Sequence, residues 1–414
     1  MRLLMISNFF PPNTRGGYEM WCQEVAHTLE EKGHQVLVLT SRNDRRRFDL
    51  SEAGHIQRAL YLEMDFISLW NAVLFFTSRQ KRERANILTL RSVVEQYRPD
   101  LIYIWGMWNL PRSLAAQAEY LSPSRVVYYI ADYWPSLPAQ YEFYWMEQGR
   151  SLPAKLVRKL LKPSVKSILA QHAISPLEFP HAQFPSRYLK EELISRGISF
   201  QDTRIIYGAI DIDIFTSNDF KSKIPKNGKL ALLYLGRLVE EKGVHTAIEA
   251  LDILINGSGL KNVELTIAGS GSADYKTRLE NLAHDLSVDQ YVKFIGAYPQ
   301  AALSELFAKF DVLLFTSIWS EPFGRVLVEA MVCSLSVVGT ATGGASEVLV
   351  DHENGLVYPP GDAEALAGRL LYLRNNPELK QKMVRNGRKM ALEHFNIHRM
   401  VNEIEDHLMT VLAA

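Results

Sequence analysis

The sequence predicts an α/β protein of two parallel-sheet domains joined by a polar linker. Three observations predict it. The chain has 414 residues, which is long for a single hydrophobic core. It opens with an apolar run (3–10), a Pro-Pro and Gly-Gly loop (11–17), an amphipathic helix (18–32) and a second apolar run (35–40). That order is a βαβ unit, which favours a parallel sheet. Strand, turn and helix then start again at residue 230, after a polar, Lys-rich stretch.

Composition narrows the class. Apolar residues make up 47% and charged residues 22%, ordinary for a globular protein. Lys plus Arg equals Asp plus Glu at 46 each, so no basic surplus points to nucleic acid. Cys22 and Cys333 are too far apart for a zinc pattern or a disulfide framework. Both lie in apolar helical surroundings, as buried thiols in a reducing compartment do. The N-terminus lacks the apolar core and cleavage site of a signal peptide, and no run reaches the roughly 18 apolar residues of a membrane span. A cytoplasmic protein is expected.

In the first domain, Trp21, Cys22, Val25 and Leu29 fall on one helix face. Gly16 and Gly17 before it lack a Cβ, so they allow a ligand close to the backbone or simply make a tight turn. A nicotinamide site is disfavoured because G-x-G-x-x-G is absent. The clusters Arg45-Arg46-Arg47 and Arg79, Lys81, Arg82, Arg84 suit solvated faces. A strand over 101–105 ends in Gly106-Met107-Trp108-Asn109, and one over 126–130 ends in Ala131-Asp132-Tyr133-Trp134-Pro135. Ligands bind at such strand ends in parallel sheets. Trp105, Trp108, Tyr133 and Trp134 are therefore candidates to stack on a sugar ring, with Tyr141, Tyr144 and Trp145 nearby in sequence; packing is the plain alternative. Asp132 either positions a substrate hydroxyl or caps the turn before Trp134. From 151 to 171, Lys155, Arg158, Lys159, Lys162 and Lys166 alternate with Leu156, Val157, Leu160, Leu161 and Val165, with Pro163 as an interruption. The pattern suits contact with an anionic membrane or an ordinary surface helix.

In the second domain, Arg237 and Lys242 lie five apart around the turn after the strand 230–235. They can converge on one diphosphate, Arg as a bidentate fork and Lys as a point charge. Strands over 263–268 and 291–296 lead into loops with Gly269 and Tyr298. A further strand (311–315) leads to Glu321-Pro-Phe-Gly-Arg-Val-Leu-Val-Glu329. Pro322 suits a first helical turn, and good helix formers follow Gly324. Free amides at a helix start bind phosphate. Glu321 and Glu329 would be repelled by phosphate, so they suit hydroxyls at the two ends of an extended ligand. Such a ligand is a nucleotide sugar; the bland alternative is a surface Glu and a helix cap.

EPFGRVLVEAM (321–331), GRLVEEKG (236–243), the opening GGYE with GHQV, and GAIDIDIF (208–215) together resemble the family 4 retaining glycosyltransferases over most of the chain. The resemblance implies the GT-B fold: two Rossmann-like domains with a cleft between them. It implies an acceptor-binding domain over 1–210, a linker over 211–229, a nucleotide-sugar-binding domain over 230–390 and a helix over 391–414 that crosses back. Glu321 and the adjoining Phe323, Gly324, Arg325, Val326 and Leu327 would hold the donor sugar, and Glu329 the ribose. Gly236, Arg237, Lys242, Gly16 and Gly17 would meet the diphosphate, and Tyr298, with the Gly269 loop, the nucleotide. The catalytic set would be Glu321, Arg237, Lys242 and Asp132. Ala131 stands where the family commonly has the His of a His-Asp pair. Asp211 and Asp213, which tempt a metal reading, lie in a structural stretch of the family, so neither metal nor cofactor is expected. Also implied are retention by same-face attack, a UDP-sugar donor with UDP-glucose the leading candidate, and a saccharide or lipid-linked saccharide acceptor in polysaccharide or glycolipid synthesis at the inner face of a membrane. A nucleotide-sugar epimerase of the same fold and a non-catalytic nucleotide-sugar binder are the alternatives.

Overall fold

Short apolar runs bounded by glycine and polar turns form two parallel sheets in the computed structural model, which describes residues 1–14, 16–42, 55–64, 71–146, 152–171, 176–216 and 229–414. One unit comprises Met1–Pro185, Leu189–Ile206 and Val401–Ala414, the other Ser186–Tyr188 and Tyr207–Met400. The Arg45-Arg46-Arg47 cluster and residues 217–228 of the expected linker lie outside the described residues.

The first unit runs β1 (Arg2–Ser7), α1 (Gly17–Glu31), β2 (Gln35–Ser41), β3 (Ile56–Leu60), α2 (Asn71–Thr77), α3 (Arg79–Tyr97), β4 (Leu101–Ile104), α4 (Arg112–Leu121), β5 (Val126–Tyr129), α5 (Gln140–Met146), α6 (Leu152–Gln171), β6 (His181–Phe184), α7 (Arg187–Ser195) and β7 (Asp202–Ile205). Its sheet has the order β3-β2-β1-β4-β5-β6-β7. Every residue of β4 and β5 is buried, as expected of strands covered on both faces. Trp21, Cys22, Val25 and Leu29 are buried along one face of α1, as their spacing predicts. The order reverses direction between β1 and β4, and loops beyond such a switch point are where α/β sheets take ligands. Pro163 does not interrupt α6, which continues through it.

The second unit runs α8 (Asp213–Thr216), β8 (Leu230–Leu235), α9 (Val244–Asp252), β9 (Val263–Ala268), α10 (Ala273–Asp285), β10 (Val292–Gly296), α11 (Leu303–Phe307), β11 (Val312–Phe315), α12 (Arg325–Val332), β12 (Ser336–Gly339), β13 (Leu356–Val357), α13 (Ala363–Asn375) and α14 (Pro377–His394). Its sheet has the order β10-β9-β8-β11-β12-β13, all pairs parallel. Leu232, Val263, Leu265, Ile267 and Val312 pack against α9 and α13 in one core. Just before α8 the Asp211 carboxylate accepts the Asp213 amide at 3.0 Å, so this Asp-x-Asp forms a turn that leads into the helix.

The last helix, α15 (Ile397–Ala413), contributes its residues from Val401 onward to the first unit. There Lys32 donates to Glu405, and His34 Nε2 lies 2.7 Å from the same carboxylate. His407 is fully buried, with Nδ1 2.8 Å from Gln183 Nε2 and Nε2 3.0 Å from Asp202. His181 approaches Asp202 at 3.2 Å through Nδ1 and the Ser124 carbonyl at 3.2 Å through Nε2. Although His181, Asp202 and His407 cluster closely, each ring nitrogen already has a protein partner, so the group works as a clamp on α15. Among the described residues no helix is long and apolar enough to cross a membrane.

Candidate functional site

The loops after β8 and β11 in the second unit are laced together. The turn Glu240–Lys242 ends at Gly243, whose φ of 62° is left-handed and whose Cβ would come within 2.1 Å of the Thr316 carbonyl oxygen. Only glycine permits that approach. The Thr316 hydroxyl donates to the Lys242 carbonyl at 2.7 Å, and the Ile318 amide to the Glu241 carbonyl at 3.0 Å. The result sets Lys242 Nζ on Glu321 Oε1, joining residues 79 apart in sequence. Arg237 is positioned by its carbonyl, which accepts the Tyr234 hydroxyl at 2.8 Å. Its side chain is exposed and has no hydrogen bond or ion pair among the described residues. The Gly236 amide donates to Ala268 at 3.0 Å and the Gly269 amide to Gly296 at 2.7 Å, which aligns the loops after β8, β9 and β10. Tyr298, half-buried, lies in the last of these loops.

Glu321 is 5% exposed and held from behind. Its carbonyl accepts the Gly344 amide at 2.6 Å, and a Cβ on Gly343 would meet that same carbonyl oxygen at 2.4 Å. The Ser186 hydroxyl donates to the Pro322 carbonyl at 2.6 Å. With these ties Pro322 stays outside the helix, and α12 begins at Arg325, with Gly324 (φ 101°) as its cap, rather than at the proline. Glu329 consequently sits about one turn into α12, and Arg325 Nε donates to it at 2.9 Å. The Leu327 amide donates to the Gly324 carbonyl at 3.0 Å and its side chain is fully buried, so Leu327 belongs to the core and not to a ligand surface. The Phe323 ring is likewise buried, 5.4 Å from Phe395, which leaves only its backbone for a ligand. The first-turn amides of Arg325 and Val326 have no acceptor within the helix.

In the first unit, the Gly16 amide donates to Glu19 at 2.9 Å. Gly16 is extended, and a Cβ there would meet nothing within 4 Å, so the glycine leaves open space and is not forced by the backbone. Gly17 opens α1. Tyr18 donates to the Tyr129 carbonyl, which ties the helix start to the end of β5. Asp132 accepts the Trp134 amide at 2.9 Å, as a turn cap does. Burial pushes its carboxyl up to about 7; the Trp134 amide opposes this and the Glu19 charge adds to it. Glu19, a buried carboxylate between Gly16 and Asp132, is the residue that sequence reading missed; its signal was the last letter of GGYE.

The aromatic acceptor candidates divide. Trp105 is fully buried and stacked on Tyr129 with centroids 4.5 Å apart. Trp134 is buried against Tyr128 and Phe179. Tyr133 is buried under the guanidinium of Arg196 at 4.6 Å. These three serve the core and do not offer a face to a sugar. Only Trp108 keeps partial exposure.

Residues 15–214 match the Glycosyltransferase Family 4 description, and residues 215–390 match Glycosyl transferases group 1. The chain belongs to the family 4, group 1 glycosyltransferases. Over 412 residues this glycosyltransferase is 24% identical to an uncharacterised glycosyltransferase of Methanocaldococcus jannaschii, covering 97% of this chain and 96% of that one. It is 25% identical over 406 residues to a glycogen synthase of Mycobacterium tuberculosis, covering 96% and 91%. Among solved structures it resembles the sucrose-phosphate synthase of Thermosynechococcus elongatus, with a TM-score of 0.75, 19% identity and coverage of 100% and 99%. Anabaena HepE, solved with UDP and glucose, gives a TM-score of 0.71, 23% identity and coverage of 98% and 99%. The fold is GT-B, as the sequence resemblance implies. In this glycosyltransferase the two loop motifs of the second unit meet at one pair, Lys242 with Glu321.

Proposed function

We propose that this glycosyltransferase moves a sugar from a UDP-sugar to a saccharide or lipid-linked saccharide with retention at the anomeric carbon. The observation that carries the reading is the set of cations at the strand ends of the second unit. Lys242 rests on Glu321, while Arg237 is exposed with no hydrogen bond or ion pair of its own among the described residues. Together with the first-turn amides of Arg325 and Val326 they would stabilise the leaving diphosphate. Glu321 and Glu329 each already hold a cation, but a carboxylate offers about four lone-pair sites, so both keep acceptors for sugar and ribose hydroxyls. In same-face transfer a departing phosphate oxygen takes the acceptor proton, and Asp132 orients a hydroxyl. UDP is favoured because HepE was solved with UDP-glucose. Peripheral contact with an anionic membrane is supported by Leu156 and Leu160, which are exposed on α6 beside exposed Lys159, Lys162 and Lys166.

Arg237→Ala and Lys242→Ala test the assignment. Each removes a preorganised charge worth about 3 kcal/mol, so transfer should fall roughly a hundredfold or more, with weaker UDP binding by calorimetry. Near wild-type turnover in both variants would overturn the diphosphate assignment. Conversion of the donor without acceptor would instead point to an epimerase, and donor binding without any turnover to a non-catalytic binder.

A further inference from the structure

A cavity of about 750 Å³ lies within the first unit, among the loops that follow β3, β4 and β5. Leu62, Tyr141, Trp145, Val165, Leu177 and Phe179 give it an apolar and aromatic lining. Five cations also line it: Arg79, Arg82, Arg112, Lys162 and Lys166. Its carboxylates are Glu63, Glu83 and Glu142. Two of these are committed to backbone, Glu63 accepting the Gln140 amide at 2.7 Å and Glu142 the Ala139 amide at 3.2 Å. Arg112 is committed as well, donating to the carbonyls of Trp134 and Leu137.

Arg79 is different. Its side chain is only 10% exposed, and its nearest carboxylate among the described residues, Glu83, is 3.8 Å away. The guanidinium lies over the Phe75 ring at 5.4 Å, and its Nε and Nη2 have no hydrogen-bond partner among the described residues. A buried cation with unmade hydrogen bonds is expensive, and a planar fork of this kind matches phosphate oxygens. Lys162 and Lys166 are exposed and add two mobile charges at the same cavity. The surrounding helices also expose apolar side chains, Phe143 and Met146 on α5 and Leu156 and Leu160 on α6, with Met146 63% and Leu160 69% exposed.

We propose that this cavity takes an anionic amphiphile, with a phosphate-class head on Arg79, Lys162 and Lys166 and a hydrocarbon body against Tyr141, Trp145 and Phe179. The amphiphile's role as acceptor, or as the acceptor's carrier, rests on the transferase reading above; its binding does not.

The test is calorimetric titration of the full chain with n-dodecyl phosphate below its micelle concentration, n-dodecyl maltoside, inorganic phosphate and, separately, UDP. One-site binding of dodecyl phosphate is expected, at least tenfold tighter than inorganic phosphate or the maltoside. Arg79→Gln should weaken it tenfold or more and leave UDP affinity unchanged. Lys166→Glu, on an exposed position where packing is not at stake, should weaken it several-fold and decides the matter if Arg79→Gln does not fold. Equal affinity for the maltoside would remove the anion site, and equal affinity for inorganic phosphate would assign a free-phosphate site; either overturns the proposal, as does unchanged binding in both variants. UDP binding without dodecyl phosphate binding sinks the cavity proposal alone. Dodecyl phosphate binding without UDP binding sinks the transferase reading and leaves the cavity standing.

Discussion

Asp132 changes charge near neutral pH because its carboxyl sits at about 7 in the folded chain, mainly through burial. An unfolded Asp titrates near 3.9, about three units lower. The folded state therefore holds the proton more tightly, and the stability it gains is full below pH ~4 and lost as pH rises toward 7. Asp132→Asn keeps an acceptor for the Trp134 amide but cannot ionise. Its melting temperature should match wild type near pH 4 and exceed it increasingly toward pH 8; a gap independent of pH would contradict the raised carboxyl. The same variant should lose transfer with UDP affinity intact if Asp132 orients a hydroxyl, and retain transfer if it only caps the turn. At this scale the motif residues were the legible ones. Arg237, Lys242, Glu321 and Glu329 stand on fixed spacings around a turn and a helix start, and the structure places all four at loops or a helix start beyond strand ends. Trp105, Tyr133, Trp134 and Leu327 were misread because composition gives a residue's chemistry but not the face on which it is buried. Trp105 is covered by Tyr129, Trp134 by Tyr128 and Phe179, and Tyr133 by Arg196, and such meetings are a tertiary fact.

Elements were read well where periodicity is strong and poorly where a single residue seemed decisive. The strands and the buried face of α1 follow from apolar runs and helical spacing. Pro163 looked like an interruption, yet α6 passes through it, since at an exposed position the carbonyl it frees can bond to water. Pro322 looked like a helix start, yet its neighbours are tied to Gly343, Gly344 and Ser186, which defers α12 to Arg325. The pattern of α15 shows an apolar face but not which sheet it covers. His407 answers that from the middle of the helix, bonding Gln183 on β6 and Asp202 on β7. Burial holds its imidazole below the usual range, so it is neutral at pH 7 and serves as one donor and one acceptor. His407→Ala would leave Gln183 and Asp202 short of partners and open a void, at about 3 kcal/mol. Urea unfolding should show that loss; a change under about 0.5 kcal/mol, within the range of ordinary surface substitutions, would mean the clamp is idle.

At the scale of the molecule, the balance of 46 cations and 46 anions leaves local arrangement to decide where charge acts. The two sheets were legible because parallel strands demand unbroken apolar runs, and those runs recur on either side of a polar stretch. The cavity was not legible, because α3, α5 and α6 and the loops after β3, β4 and β5 contribute to it from distant parts of the chain. The same local logic governs the leaving group. A diphosphate needs about two positive charges, and Arg237, Lys242 and the start of α12 can supply them without a divalent ion. The carboxylates nearby are already paired, Glu321 with Lys242 and Glu329 with Arg325, and Asp211 accepts the Asp213 amide. Transfer assayed with excess EDTA should therefore stay within about twofold of the untreated rate, because a shift of that size is under 0.5 kcal/mol in the barrier. Activity abolished by the chelator and restored by manganese would require a cation at the reacting centre. It would return Asp211 and Asp213 as ligand candidates, with Asp211→Asn expected to weaken metal activation. If activity survives EDTA, loss in Arg237→Ala and Lys242→Ala must then account for the stabilisation that a metal would otherwise provide.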